Sequence, residues 1–115
     1  MIPTQPVEIR YYIALNGRDY YHEWLAELDS NTRGRVLIFM TRLEVGMGLT
    51  KTIENKVWEL VMDFGPGYRV LFTKEGRTIV LVFAGCEKKD QKRTIALVKR
   101  LLAEYESRKE HGYIL

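Results

Sequence analysis

An α+β fold of layout βααβββα, a small sheet with helices packed on one face, is predicted by three observations in this 115-residue sequence. Between Val57 and Ala84, three alternating apolar runs separated by glycine turns read as a β-meander. Two stretches before the meander and one after it place their apolar residues at the spacing of amphipathic helices. Turn chemistry falls between these segments rather than within them, at Asn16-Gly17, at Gly46 and Gly48, and at Gly65-Pro66-Gly67.

The first element is a strand in VEIRYYIAL (Val7 to Leu15), closed by Asn16-Gly17. From Arg18 to Leu28, the spacing of Tyr21, Trp24, Leu25 and Leu28 is helical. Asp29-Ser30-Asn31 interrupts that pattern and caps a second helix, about Thr32 to Val45, with Val36, Phe39, Met40 and Leu43 on one stripe. The meander follows as VWELVMDF (Val57 to Phe64), YRVLFT (Tyr68 to Thr73) and RTIVLVFA (Arg77 to Ala84). Asp90 opens a last helix with Ile95, Val98, Leu102 and Tyr105 inward. The tail Lys109 to Leu115 either stays loose or docks Tyr113, Ile114 and Leu115 on the open sheet face.

With Glu75-Gly76 as a two-residue loop, Phe72 faces Ile79, Val70 faces Leu81 and Tyr68 faces Phe83. With Gly65 to Gly67 as the other loop, Phe64 opposes Tyr68, Met62 opposes Val70 and Asp63 falls opposite Arg69. One sheet face is then continuously apolar. The other is mixed, with Glu59, Asp63, Arg69 and Thr73 beside Val61, Leu71, Val80 and Val82.

The length suits one domain, residues 1–115, with a core that needs neither metal nor disulfide. Cys86 is the single cysteine, which favours a reducing compartment, and no apolar run reads as a signal peptide or a membrane span. The cytoplasm is the expected location. His22 and His111 have no metal-ligand companions in sequence, and no cofactor is expected. The net charge is only +3, but between Lys88 and Arg100 the basic residues Lys88, Lys89, Lys92, Arg93, Lys99 and Arg100 meet one acid, Asp90. Such a segment suits a polyanion or an acidic protein, or is simply a solvated helix face.

The string ELVMDFGPGYRVLF (Glu59 to Phe72), followed by RTIVLVFAGCEKKDQ (Arg77 to Gln91), resembles the HigB-like branch of the RelE/ParE toxin superfamily, the addiction-module killer proteins. The likeness is sharpest over Gly65-Pro66-Gly67-Tyr68-Arg69-Val70, with Gly85, Lys88 and Gln91 as a second block. It implies a type II toxin that cleaves messenger RNA, usually on the ribosome; the lack of a carboxylate or histidine cluster in the sequence makes metal-independent cleavage the expectation. It also implies an antitoxin partner encoded beside it, a helix-turn-helix protein. ParE-type relatives on the same scaffold inhibit DNA gyrase instead, so a non-catalytic binding module, or an inactive toxin relic, stands as the alternative.

Metal-free RNA cleavage needs a base for the 2'-hydroxyl, cations for the phosphate oxygens and an acid for the leaving 5'-oxygen. The resemblance assigns Arg69 and Lys88 to this work. Lys89, Lys56 and Arg77 join them by proximity in the expected layout, Arg77, Lys92 and Arg93 as RNA contacts, although Lys56 and Arg77 flank strands, where basic residues more often only keep edges soluble. Arg69 on a mixed face is expected to be dispensable for stability, its alternative role being a cross-strand ion pair with Asp63. The chain departs from the family pattern at Val61, where relatives carry a basic residue, and at Cys86, which replaces a glycine. It leaves the general acid unassigned, with Tyr68 inward and His111 or Tyr113 serviceable only if the tail folds back. The antitoxin is expected to cover the face around Arg69, with Leu71, Val80 and Val82, or the adjacent basic helix.

Overall fold

A computed structural model describes residues 5–112; the expected docking of Tyr113, Ile114 and Leu115 lies outside them. The elements run β1 (Glu8–Tyr11), α1 (Tyr20–Glu27), α2 (Ser30–Glu44), β2 (Leu49–Glu54), β3 (Val57–Met62), β4 (Tyr68–Glu75), β5 (Ile79–Glu87) and α3 (Gln91–Glu110). A short 3-10 turn, Lys88–Asp90, joins β5 to α3. The sheet order is β1-β5-β4-β3-β2, with β1 parallel to β5 and the other neighbours antiparallel. The α+β class and the expected elements are present, with one strand more than the sequence reading allowed. That strand, β2, sits in a stretch rich in β-branched residues (Thr50, Thr52, Ile53) and pairs with β3 through the turn at Asn55-Lys56.

Both helices of the first pair start on an aspartate. The Asp19 carboxylate accepts from the His22 backbone N–H at 3.0 Å and the Asp29 carboxylate from that of Thr32 at 2.8 Å, filling donors that a helix start leaves unpaired. The third helix begins differently. The Asp90 side chain makes no capping bond and accepts from Arg93 instead, at 3.0 Å.

Two registers differ from expectation. In the β3–β4 hairpin, Met62 pairs with Tyr68 and Val61 with Arg69, so the loop spans residues 63–67 and Asp63 belongs to it. A shift of this parity keeps every side chain on its expected face. In the β4–β5 hairpin, Glu75 pairs with Ile79 around a loop of residues 76–78, and this parity reverses the face of β5. Val80 and Val82 join Phe72, while Leu81 and Phe83 go to the opposite side. A bulge then leaves Phe83 without a partner and resets the pairing to Leu71 with Ala84 and Arg69 with Cys86.

The consequence is a sheet buried on both faces, not on one. On one side, Leu60, Met62, Val70, Phe72, Val80 and Val82 pack with Tyr21 and Leu25 of α1 and Val36, Met40 and Leu43 of α2. On the other, Val57, Leu71, Leu81, Phe83 and Ala84 pack with Val98, Leu101, Leu102 and Tyr105 of α3. Successive residues of β4 and β5 are apolar on both sides, and water is excluded from both. The face expected to stay open for an antitoxin is therefore closed: Leu71 and Val82 are 0% exposed and Val80 is 2%.

Gly85 fixes how closely α1 approaches this sheet. A Cβ built there would lie 2.1 Å from Trp24 Cε3 and 2.4 Å from Trp24 Cζ3, far inside contact distance. Gly85→Ala is expected to force the indole off β5 and cost about 1–3 kcal/mol. Urea unfolding measures this, and an unchanged midpoint would show that the ring is not seated as described.

Candidate functional site

The site forms where the 63–67 loop meets the start of α3. The loop is held by Phe64 N–H to Met62 C=O at 3.1 Å and Gly67 N–H to Phe64 C=O at 2.9 Å. Gly67 adopts φ 85°, and its carbonyl accepts from the Lys88 N–H at 2.9 Å. A Cβ on Gly67 would stand 3.4 Å from Lys88 Cβ and 3.6 Å from an Arg69 guanidinium nitrogen, so glycine suits both the backbone angle and the close approach. Lys88 thereby lies at the rim of an open concavity with Asp63, Phe64, Gly65, Pro66 and Gly67.

Arg69 lies beneath this rim and is only 7% exposed. One guanidinium nitrogen donates to the Tyr68 carbonyl at 2.9 Å. Its Nε is 3.7 Å from the Glu59 carboxylate, itself 5% exposed, and Nη1 is 3.9 Å from Asp63. Gln91, in the first turn of α3, donates to the same Glu59 oxygen that faces Arg69. A buried charge persists only when paired and hydrogen-bonded, and here Arg69 and Glu59 serve each other. The network ties β3, β4 and α3 together below the loop. The ion pair weighed in the sequence reading thus exists, with Glu59 as its buried partner and Asp63 at its exposed edge.

The remaining candidates divide by the end of the sheet they occupy. Lys88 and Lys89 are exposed beside the loop; Lys89 reaches Glu87 at 4.0 Å, and Lys88 has no ion pair among the described residues. Lys92 and Arg93 follow on the first turn of α3, where Arg93 is tied to Asp90 and Lys92 is unpaired among the described residues. The amino end of α3 adds its own partial positive charge. Lys56, by contrast, sits in the β2–β3 turn, at the other end of β3, and is hydrogen-bonded to Glu106 at 2.7 Å. Arg77 is in the β4–β5 turn at that same far end, on a separate concavity of about 450 Å³ between β4, β5 and the end of α2. The structure brings Arg69 and Lys88 together at Gly67, with Lys89, Lys92 and Arg93 following on the turn and helix start beyond Lys88, and leaves Lys56 and Arg77 apart.

Three polar or reactive side chains complete the description. Cys86 is buried against α3 at 4% exposure, and burial raises its thiol pKa, so it is held as the thiol rather than the nucleophilic thiolate. Tyr68 is packed inward, against Phe64 and Trp24, as expected. His111 terminates α3 and bonds Ser107, about 30 Å of helix away from Lys88. Among the described residues, no three His, Cys, Asp or Glu side chains gather where they could hold a metal. The sequence reading placed Glu59 on the face of Arg69 and Gln91 in the second motif block but gave neither a role in the site. The available signal was a lone glutamate inside the apolar run of β3.

Residues 23–105, from α1 through most of α3, match the family described as phage derived protein Gp49-like (DUF891). An uncharacterized protein of Haemophilus influenzae is 28% identical over 86 residues, covering 73% of this chain and 87% of that protein. The matched residues span α2, the loop, Arg69 and Lys88. The chain belongs to the Gp49-like family, a toxin-antitoxin-associated family related to RelE/ParE-type toxins.

Proposed function

We propose that this protein is the toxin of a type II toxin-antitoxin pair, of HigB-like character, and that it acts in the cytoplasm by cleaving messenger RNA on the ribosome. The observation that carries the reading is the seating of Lys88 against Gly67, directly above Arg69, at an open rim beside a basic helix start. Among the described residues no helix is long and apolar enough to cross a membrane.

In the proposed reaction the 2'-oxygen attacks the adjacent phosphorus as its proton leaves to a base. The bond to the 5'-oxygen breaks, and that oxygen takes a proton. Lys88 and Lys89 supply amines for charge stabilisation and proton transfer, and Lys92 and Arg93 hold flanking phosphates. Arg69 fixes the loop and lends positive charge from below. Ribosomal RNA and the codon geometry would align the 2'-hydroxyl, a contribution that an open, shallow site does not make alone.

The products decide the mechanism. Translating ribosomes incubated with the purified protein are expected to yield fragments with a 5'-hydroxyl and a 2',3'-cyclic phosphate or 3'-phosphate. Fragments ending in 3'-hydroxyl and 5'-phosphate would overturn it. The burial of Arg69 in an ion pair favours a second reading, a binding module such as a gyrase-directed inhibitor. Absence of RNA cleavage together with inhibition of DNA supercoiling would establish that reading instead.

A further inference from the structure

Five of the seven large apolar side chains exposed among the described residues, Leu37, Ile38, Val45, Met47 and Leu49, lie on α2 or just beyond it. Helical geometry places Gly34, Ile38, Thr41 and Val45 on one stripe, opposite the buried Val36, Met40 and Leu43. Ile38 and Val45 are 53% and 50% exposed, a large apolar offering to water from one helix. Arg35 and Arg42 flank the stripe on one side. Their guanidinium groups lie over the rings of Phe64, at 4.0 Å, and Phe39, at 5.4 Å, and neither has a carboxylate partner among the described residues. A Cβ on Gly34 would meet nothing within 4 Å, so no contact within the chain requires glycine at this helical position, where it weakens the helix.

We infer that the outer face of α2 is a docking surface for an acidic amphipathic helix of the partner antitoxin, an inference that rests on the toxin reading above. The occupant's apolar stripe would cover Ile38, Val45 and Leu37, its carboxylates would meet Arg35 and Arg42, and Gly34 would admit its backbone closely. Charge selects this occupant over a second copy of the chain. Two α2 helices packed face to face set arginine against arginine, with Glu44 as the lone acid on each. The position also connects docking to the site. Arg35 stacks on Phe64 of the 63–67 loop, so a helix laid along α2 ends beside the rim that carries Lys88.

The test uses the full chain and the product of the reading frame beside its gene, co-expressed and then titrated as purified proteins. Paired substitutions Ile38→Asp and Val45→Asp are expected to weaken binding about 100-fold, and Arg35→Glu with Arg42→Glu about tenfold with loss of the salt dependence. Gly34→Ala should weaken binding while raising the melting temperature of the free toxin, a combination that damage to the fold cannot produce. If the parent binds and all three variants bind alike, the surface is overturned and the antitoxin reading stands. If the parent does not bind, that reading falls and the surface with it. If the parent self-associates and Ile38→Asp with Val45→Asp makes it monomeric, the occupant is a second copy and the proposal is overturned. The arginine pair decides the matter should the aspartates impair folding.

Discussion

Lys88→Ala is expected to relieve growth arrest at unchanged soluble abundance, with ribosome-dependent cleavage reduced on the order of 10²-fold. The expectation rests on exposure and position. Lys88 stands at the rim with no ion pair among the described residues, and the fold uses its backbone, which alanine retains: the N–H donates to the Gly67 carbonyl and the carbonyl accepts from the Gln91 N–H. An exposed substitution of this kind changes stability by roughly 0.5 kcal/mol or less, so lost toxicity would report the ammonium group. Lys109→Ala provides a charge-matched comparison, because Lys109 is at the far end of α3, paired with Glu75 at 2.9 Å. Growth arrest and cleavage by quantified amounts of each variant supply the measurement. Full toxicity of Lys88→Ala would remove this residue from the mechanism.

What the sequence revealed and what it concealed follow from the range of the interactions involved. The helix start at Asp29, the apolar stripe of α2 and the three meander strands are local patterns, and they are legible because a few neighbouring residues determine them. The face assignment of β5 was not legible. Val80, Leu81, Val82 and Phe83 are all apolar, so alternation has no contrast, and the longer loop with the Phe83 bulge set the register. That uncertainty put Val82 on the wrong face, while the expectation of all helices on one face left Leu71 looking available to a partner where α3 covers it. β2 was missed because Lys51 and Glu54 dilute its apolar signal and it gains its order by pairing with β3. Arg69 was found from motif likeness, yet its burial depends on Glu59 from a neighbouring strand and Gln91 from a helix. No local pattern announces that three such residues meet.

The second large effect concerns stability, and it reverses the expectation that Arg69 is dispensable to the fold. Arg69→Met is expected to destabilise the protein by about 3–5 kcal/mol, because it leaves the Glu59 carboxylate buried without its cation. The side chains are 9% and 6% exposed and their charged atoms are 3.7 Å apart, so neither water nor another described cation replaces the partner. Gln91 remains as a donor to Glu59, but a neutral amide offsets only part of the desolvation of a full charge. Adding Glu59→Leu to Arg69→Met removes the orphaned charge and should recover most of the loss, giving a large favourable coupling in a double-mutant cycle. Urea unfolding of the four proteins measures it. A single Arg69→Met variant as stable as the parent would show that the pair is solvated. The outcome also governs how toxicity data are read: a silent Arg69 variant reports on catalysis only when its folded fraction has been measured. The Arg69→Met and Glu59→Leu double variant, folded but without the buried guanidinium, separates the two roles. If it cleaves RNA as well as the parent, Arg69 acts in the fold alone; if it is stable and inactive, the guanidinium also serves the chemistry at the rim.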